Sequence, residues 1–171
     1  MWRYLLERAY IKLPNDRPWD ELKVLYFFNQ CKWVKDPWYY IDVISTPAKF
    51  YKTKTGDCDE FACFAGYVMN DKVRYLLSVT WYNPDKGETF KGHNILVYFK
   101  NKSWYHIGNA GWFGPYKNQF DLMRNLVEHV DPNGIPCAYG WRNTATLKYV
   151  AGGRFKKTRK EALKRWATRK K

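Results

Sequence analysis

No stretch of this chain approaches the roughly 18 to 20 uninterrupted apolar residues that a membrane-spanning helix requires, so no bilayer segment and no membrane partner are expected. The N-terminal Met1-Trp2-Arg3-Tyr4-Leu5-Leu6-Glu7-Arg8 carries charge inside its apolar stretch and no small-residue cleavage site follows it. That pattern is not a secretory signal, and the expected location is the cytoplasm, with association with a virion as the variant. Cysteine is sparse, with Cys31, Cys58, Cys63 and Cys137 only. A chain of this size without an export signal has little need of disulfides, and all four are read as thiols. There is no CxxC or HxxxH pair, and a five-residue step along a helix points Cys58 and Cys63 in different directions. No metal site and no cofactor are therefore expected. Internal repeats and low-complexity tracts are also missing, as are RNP-like and Gly-x-x-Gly signatures of RNA binding.

Acidic residues are few as well, 16 against 30 lysines and arginines, for a net charge of +14. The excess is unevenly placed. From Arg154 to Lys171 ten basic side chains face Glu161 alone. Such a field favours anionic partners, nucleic acid or an acidic protein surface, through Arg154, Lys156, Lys157, Arg159, Lys160, Lys164 and Arg165. What the chain does have is apolar and aromatic content, 46% and 19% of its 171 residues, enough for one real core. Gly152-Gly153 is the expected boundary between a body spanning 1–153 and a basic tail spanning 154–171.

Along the body, Trp19 to Trp33 puts Leu22, Leu25 and Tyr26 at helical spacing behind Asp20 and Glu21. A loop containing Pro37 and Pro47 is expected to follow. Asp57 and Glu60 form the two halves of a capping box, which starts a helix at Cys58 with Phe61, Phe64, Ala65 and Val68 as its apolar stripe. Val73 to Tyr82, Asn94 to Lys100 and Trp104 to Ile107 then read as an antiparallel meander separated by turn-formers. A surface helix over Asn118 to Val130 and a last strand over Thr144 to Val150 complete the expectation.

A thiol attacks as the thiolate, which calls for a base and is helped by a helix N-terminus. Cys58 is placed for both, although Asp57, Asp59 and Glu60 would raise its pKa unless compensated. His93 opens a strand, and alternation puts it on the face of Ile95, Val97 and Phe99. Asn109 closes the next strand and has an amide oxygen able to hold an imidazole. Taken alone, His93 also reads as a histidine satisfied at a strand end, and Asn109 as a turn residue.

Together, Ser45-Thr46-Pro47, Thr55-Gly56-Asp57-Cys58-Asp59-Glu60-Phe61-Ala62, Gly92-His93-Asn94-Ile95-Leu96-Val97 and Trp104-Tyr105-His106-Ile107 resemble the transglutaminase-like superfamily of papain-type thiol enzymes, in a small bacterial or phage-type form. The resemblance covers about Asp42 to Gly111. It implies an α+β papain-like core, with the catalytic helix packed on an antiparallel sheet, and a Cys58-His93-Asn109 triad acting through a thioester. Where the family usually has Asp, this sequence has Gly108, with Asn109 one position later. The extra oxyanion donor before the nucleophile is open between Gln30, Trp33 and Trp38. Expected activities are a hydrolytic cysteine peptidase or amidase on a protein or peptide substrate, or a cross-linking transglutaminase. The competing class is a non-enzymatic basic binding or assembly protein that keeps the fold.

Overall fold

The computed structural model describes residues 13–35, 45–69, 73–83, 85 and 91–155. Its centre is a six-stranded, wholly antiparallel sheet in the order β6-β5-β4-β3-β7-β8. These strands are β3 (Val73–Tyr82), β4 (Lys91–Lys100), β5 (Ser103–Gly108), β6 (Gly111–Tyr116), β7 (Ile135–Asn143) and β8 (Tyr149–Arg154), while β1 (Lys32–Trp33) and β2 (Thr55–Gly56) form a separate parallel pair. Helices cover both faces, so the fold is α+β. The expected meander is present as β3, β4 and β5.

Alternation along the strands sorts their side chains onto two cores. Leu76, Leu96, Tyr98 and Ile107 face α1 (Glu21–Phe28), α2 (Pro47–Thr53) and α3 (Cys58–Val68). Leu77, Val79, Trp81, Ile95, Val97 and Trp141 face Leu122, Met123, Leu126 and Val127 of α4 (Gln119–Val130). Asn118 caps α4 by accepting from the backbone of Phe120 and Asp121, both at 3.0 Å. At its other end Asp131 is buried and accepts from the indole of Trp81 at 3.1 Å.

Three expectations need correction. The first helix is shorter than Trp19 to Trp33, and it turns Val24, Phe27 and Phe28 inward while Leu22 and Tyr26 stand 69% and 72% exposed. Both triplets have helical spacing. The larger aromatic pair wins because Phe28 meets Phe61 at 4.8 Å and Phe27 meets Phe64 at 4.7 Å. Pro47 does not lie in a loop but at the first turn of α2, where its missing N–H costs nothing, behind the N-cap Thr46. Finally, residues 144–147 form a turn held by the Asn143 side chain, which accepts from Ala145 N at 2.9 Å and Thr146 N at 3.0 Å. The last strand starts only at Tyr149, and it is preceded by β7, which the sequence reading lacks.

Gly152 and Gly153 sit inside that strand, paired with Gly140 and Tyr139 of β7. Phe155 N then bonds Cys137 O at 2.9 Å, and the Phe155 ring packs on Tyr139 at 5.4 Å and Phe120 at 6.1 Å. The glycine pair is therefore sheet rather than linker among the described residues, and the folded body runs through Phe155. Of the basic tail Arg154, as the end of β8, and Phe155 are described; Lys156, Lys157, Arg159, Lys160, Lys164 and Arg165 lie outside the described residues.

Candidate active site

The start of α3 is built from its own sequence. Asp57 accepts from Asp59 N at 3.0 Å and from the backbone of Glu60, and Glu60 accepts from Asp57 N at 2.9 Å, so both halves of the expected capping box are in place. The second oxygen of Glu60 accepts from Ser45 N at 2.7 Å, which ties the segment before α2 to the same helix start. Gly56 is needed there, because a Cβ would come within 2.7 Å of Glu60 Cβ. α3 is buried from Asp59 to Gly66 and again at Val68, which takes in the whole expected stripe, and Cys63 is buried within it as a small apolar side chain.

Cys58 is the first residue of this helix and is partly buried. Its sulfur lies 3.6 Å from an oxygen of Asp59 and receives the backbone N–H of Asn94. Burial pushes the thiol well above its usual range, the Asp59 and Asp57 carboxylates push it further, and the Asn94 N–H acts against them. Asn94 is the residue that sequence reasoning missed. The β4–β5 ladder stops at Leu96↔Ile107, so the Asn94 backbone lies beyond its end, and the Asn94 side chain donates to Asp59. The signal was present in the string Gly92-His93-Asn94: alternation gives His93 and Asn94 opposite faces, and only one can face the helix.

His93 falls on the other face. It pairs with Val79 in the β3–β4 register and shares the side of Ile95 and Val97, the core covered by α4. Its Nε2 is buried without a hydrogen-bond partner among the described residues, and burial lowers its pKa to about 4. No hydrogen bond joins it to Cys58. Asn109 is exposed at the two-residue tip between β5 and β6, where Gly108 pairs with Gly111, and it holds no imidazole here. The structure thus brings Cys58, Asp59 and Asn94 together, and sets His93 and Asn109 near the same end of the sheet without joining them.

Of the oxyanion candidates, Gln30 has its amide oxygen bound by Lys54 Nζ at 2.6 Å, Trp33 is half exposed in the short strand Lys32–Trp33, and Trp38 lies outside the described residues. All four cysteines are free thiols. The side chains of Asp57, Cys58 and Asp59 offer ligand atoms within 4.8 Å of one another, but the two carboxylates are engaged in capping α3 and in holding Asn94. They read as a helix start rather than a metal centre.

No protein family and no curated relative matches the chain. Among solved structures it is similar to LapG of Legionella pneumophila, with 17% identity and a TM-score of 0.44, over 96% of this chain and 81% of that one. For the EGTA-treated form of LapG the values are 18% and 0.41, over 95% and 84%.

Proposed function

We propose that the chain is a transglutaminase-like thiol enzyme that transfers an acyl group from a peptide or amide to water through Cys58, with His93 as the base and Asn109 as its orienter. The observation that carries this reading is the buried, partnerless Nε2 of His93, one residue from the backbone N–H that touches the Cys58 sulfur. An unpaired buried ring nitrogen is costly and calls for a partner. The Asn94 N–H that touches the sulfur lies beyond the end of the β4–β5 ladder, which places the sulfur at the open margin of β4. A turn of the His93 side chain around that margin supplies the partner. The thiol proton then passes to Nε2, the sulfur bonds to the carbonyl carbon, and the C–N bond breaks as the imidazolium returns the proton to the leaving amine. Water, deprotonated by the same imidazole, cleaves the thioester. Backbone N–H groups at the start of α3 are the donors available to the oxyanion.

A second, non-enzymatic reading is favoured by one observation: the Cys58 thiol is raised by burial and by two carboxylates, with no imidazole in contact. Alkylation separates the two. The resting arrangement alone makes Cys31, raised by burial to about 11, the more acidic of the two partly buried thiols. If His93 engages, iodoacetamide at neutral pH modifies Cys58 first, by about tenfold or more, and His93→Ala removes the preference. Mass spectrometry that finds Cys31 modified first in the parent chain sinks the enzyme and leaves the binder.

For the residues after Phe155 we propose an electrostatic tether to nucleic acid. A chain ending at Phe155 is expected to keep its fold and its Cys58 labelling while its affinity for nucleic acid falls and the salt dependence flattens. Ending at Gly153 instead removes the Phe155 packing and lowers the melting temperature. Unchanged nucleic-acid binding by the chain ending at Phe155 overturns the tether.

A further inference from the structure

Two arginines, the exposed Arg17 and the partly buried Arg74, line an open cavity of about 440 Å³ at the far end of α3, together with Gly66, Tyr67, Thr144 and Ala145. Arg17 Nε donates to Pro14 O at 3.0 Å, and its head lies 4.4 Å above the Tyr67 ring. Arg74 donates to the carbonyl of Met69, the C-cap of α3, and approaches Thr144 Oγ1 at 3.4 Å. Backbone carbonyls and a ring thus hold both groups in place, and neither has a carboxylate partner among the described residues. Gly66 forms part of the wall; a Cβ there would come within 3.1 Å of Thr144 and 3.2 Å of Leu96.

A second cavity of about 550 Å³ shares Tyr67, Thr144 and Ala145 with the first, and adds Leu13, Pro47, Ala48, Cys63 and Leu147, with Ser45 and Thr46 at its rim. One chamber is cationic and the other mostly apolar. They meet at Tyr67. Gly66 lies eight residues from Cys58, about 12 Å along the helix, and Cys58 lines neither chamber.

We propose that these adjoining cavities bind an organic anion, its oxyanion head held by Arg17 and Arg74 and its apolar body lying past Tyr67 among Pro47, Ala48 and Leu147. Positioned guanidinium groups favour carboxylate and phosphate heads through paired N–H donors, and the absence of a described counter-charge leaves that capacity unspent. The apolar chamber adds the burial that distinguishes such a ligand from a bare inorganic ion. The site is independent of the acyl-transfer reading, because none of its lining residues takes part in that chemistry.

Titration calorimetry of the full chain at fixed ionic strength, with hexanoate and inorganic phosphate as probes, tests it. Hexanoate is expected to bind more tightly than phosphate, and Arg17→Gln to weaken hexanoate by about tenfold, the loss of one charge-assisted contact. Arg17→Gln is the informative variant because Arg74 also caps α3 and its removal loosens the fold; near-UV circular dichroism checks that the variant keeps its packing. Equal binding of the two probes overturns the apolar chamber. Hexanoate binding that Arg17→Gln leaves unchanged places the anion elsewhere on this basic chain and overturns the site, as does no binding at all.

Discussion

Replacing Phe64 with alanine is expected to lower the stability of the folded chain by about 3–5 kcal/mol, a large share of the roughly 5–15 kcal/mol that holds a domain together. Phe64 is fully buried where α1, α2 and α3 meet. Its ring stacks on Phe27 at 4.7 Å and on Tyr51 at 5.9 Å, and meets Trp19 edge-on at 5.6 Å, with Phe50 at 5.5 Å. Those rings are themselves wedged against one another, so they cannot close the gap that truncation opens. Urea unfolding followed by tryptophan fluorescence measures the loss. Tyr26→Ala, on the exposed side of α1, should change stability by no more than about 0.5 kcal/mol. A Phe64→Ala loss as small as that would mean the aromatic cluster repacks freely.

Acid should destabilise the fold well before its carboxylates titrate. Burial lowers His93 to about 4, and lowers His106 to about 3 with help from the nearby His93 and His129. Both values lie below the unfolded value of about 6.5, so as pH falls the unfolded chain takes up protons first. The contribution of the two neutral imidazoles is complete above pH 6.5 and is lost progressively as pH falls towards 4 for His93 and 3 for His106. Between pH 6.5 and 4.5 each histidine removes up to about 2.7 kcal/mol. Urea midpoints across that window measure the slope. His106→Phe fits between Phe113 and Tyr116, where the imidazole now stacks at 5.0 and 5.7 Å, and should remove about half of it. A flat profile in the parent chain would show that both rings protonate without leaving the fold.

Sequence pattern carried the elements whose signals are local. The capping box at Asp57 and Glu60, the β3 span and the helix behind Asn118 each rest on a few adjacent residues and appear as expected. What was not legible depended on partners distant in the chain. Leu22-Leu25-Tyr26 and Val24-Phe27-Phe28 are equally helical, and only Phe61 and Phe64 on α3 decide between them. β7 interrupts its alternation with Pro136 and Gly140, so its strand character comes from pairing with β3 and β8. The candidate nucleophile was readable because a helix start is local. The relation of His93 to it was not, because which face of β4 meets α3 is a property of the assembled layers.

The two edges of the sheet differ in what they offer another strand. At one edge, β6 carries Pro115, which has no N–H, beside Gly114 at φ +131°, a combination that spoils regular pairing. At the other, β8 reads Tyr149-Val150-Ala151-Gly152-Gly153-Arg154, largely exposed and uncharged until its last residue. Such an edge is an aggregation hazard. The residues that follow, 156–171, hold nine of the chain's lysines and arginines. Cationic residues this close in sequence to an edge strand disfavour its pairing with a second copy of itself, because like charges repel as the copies approach.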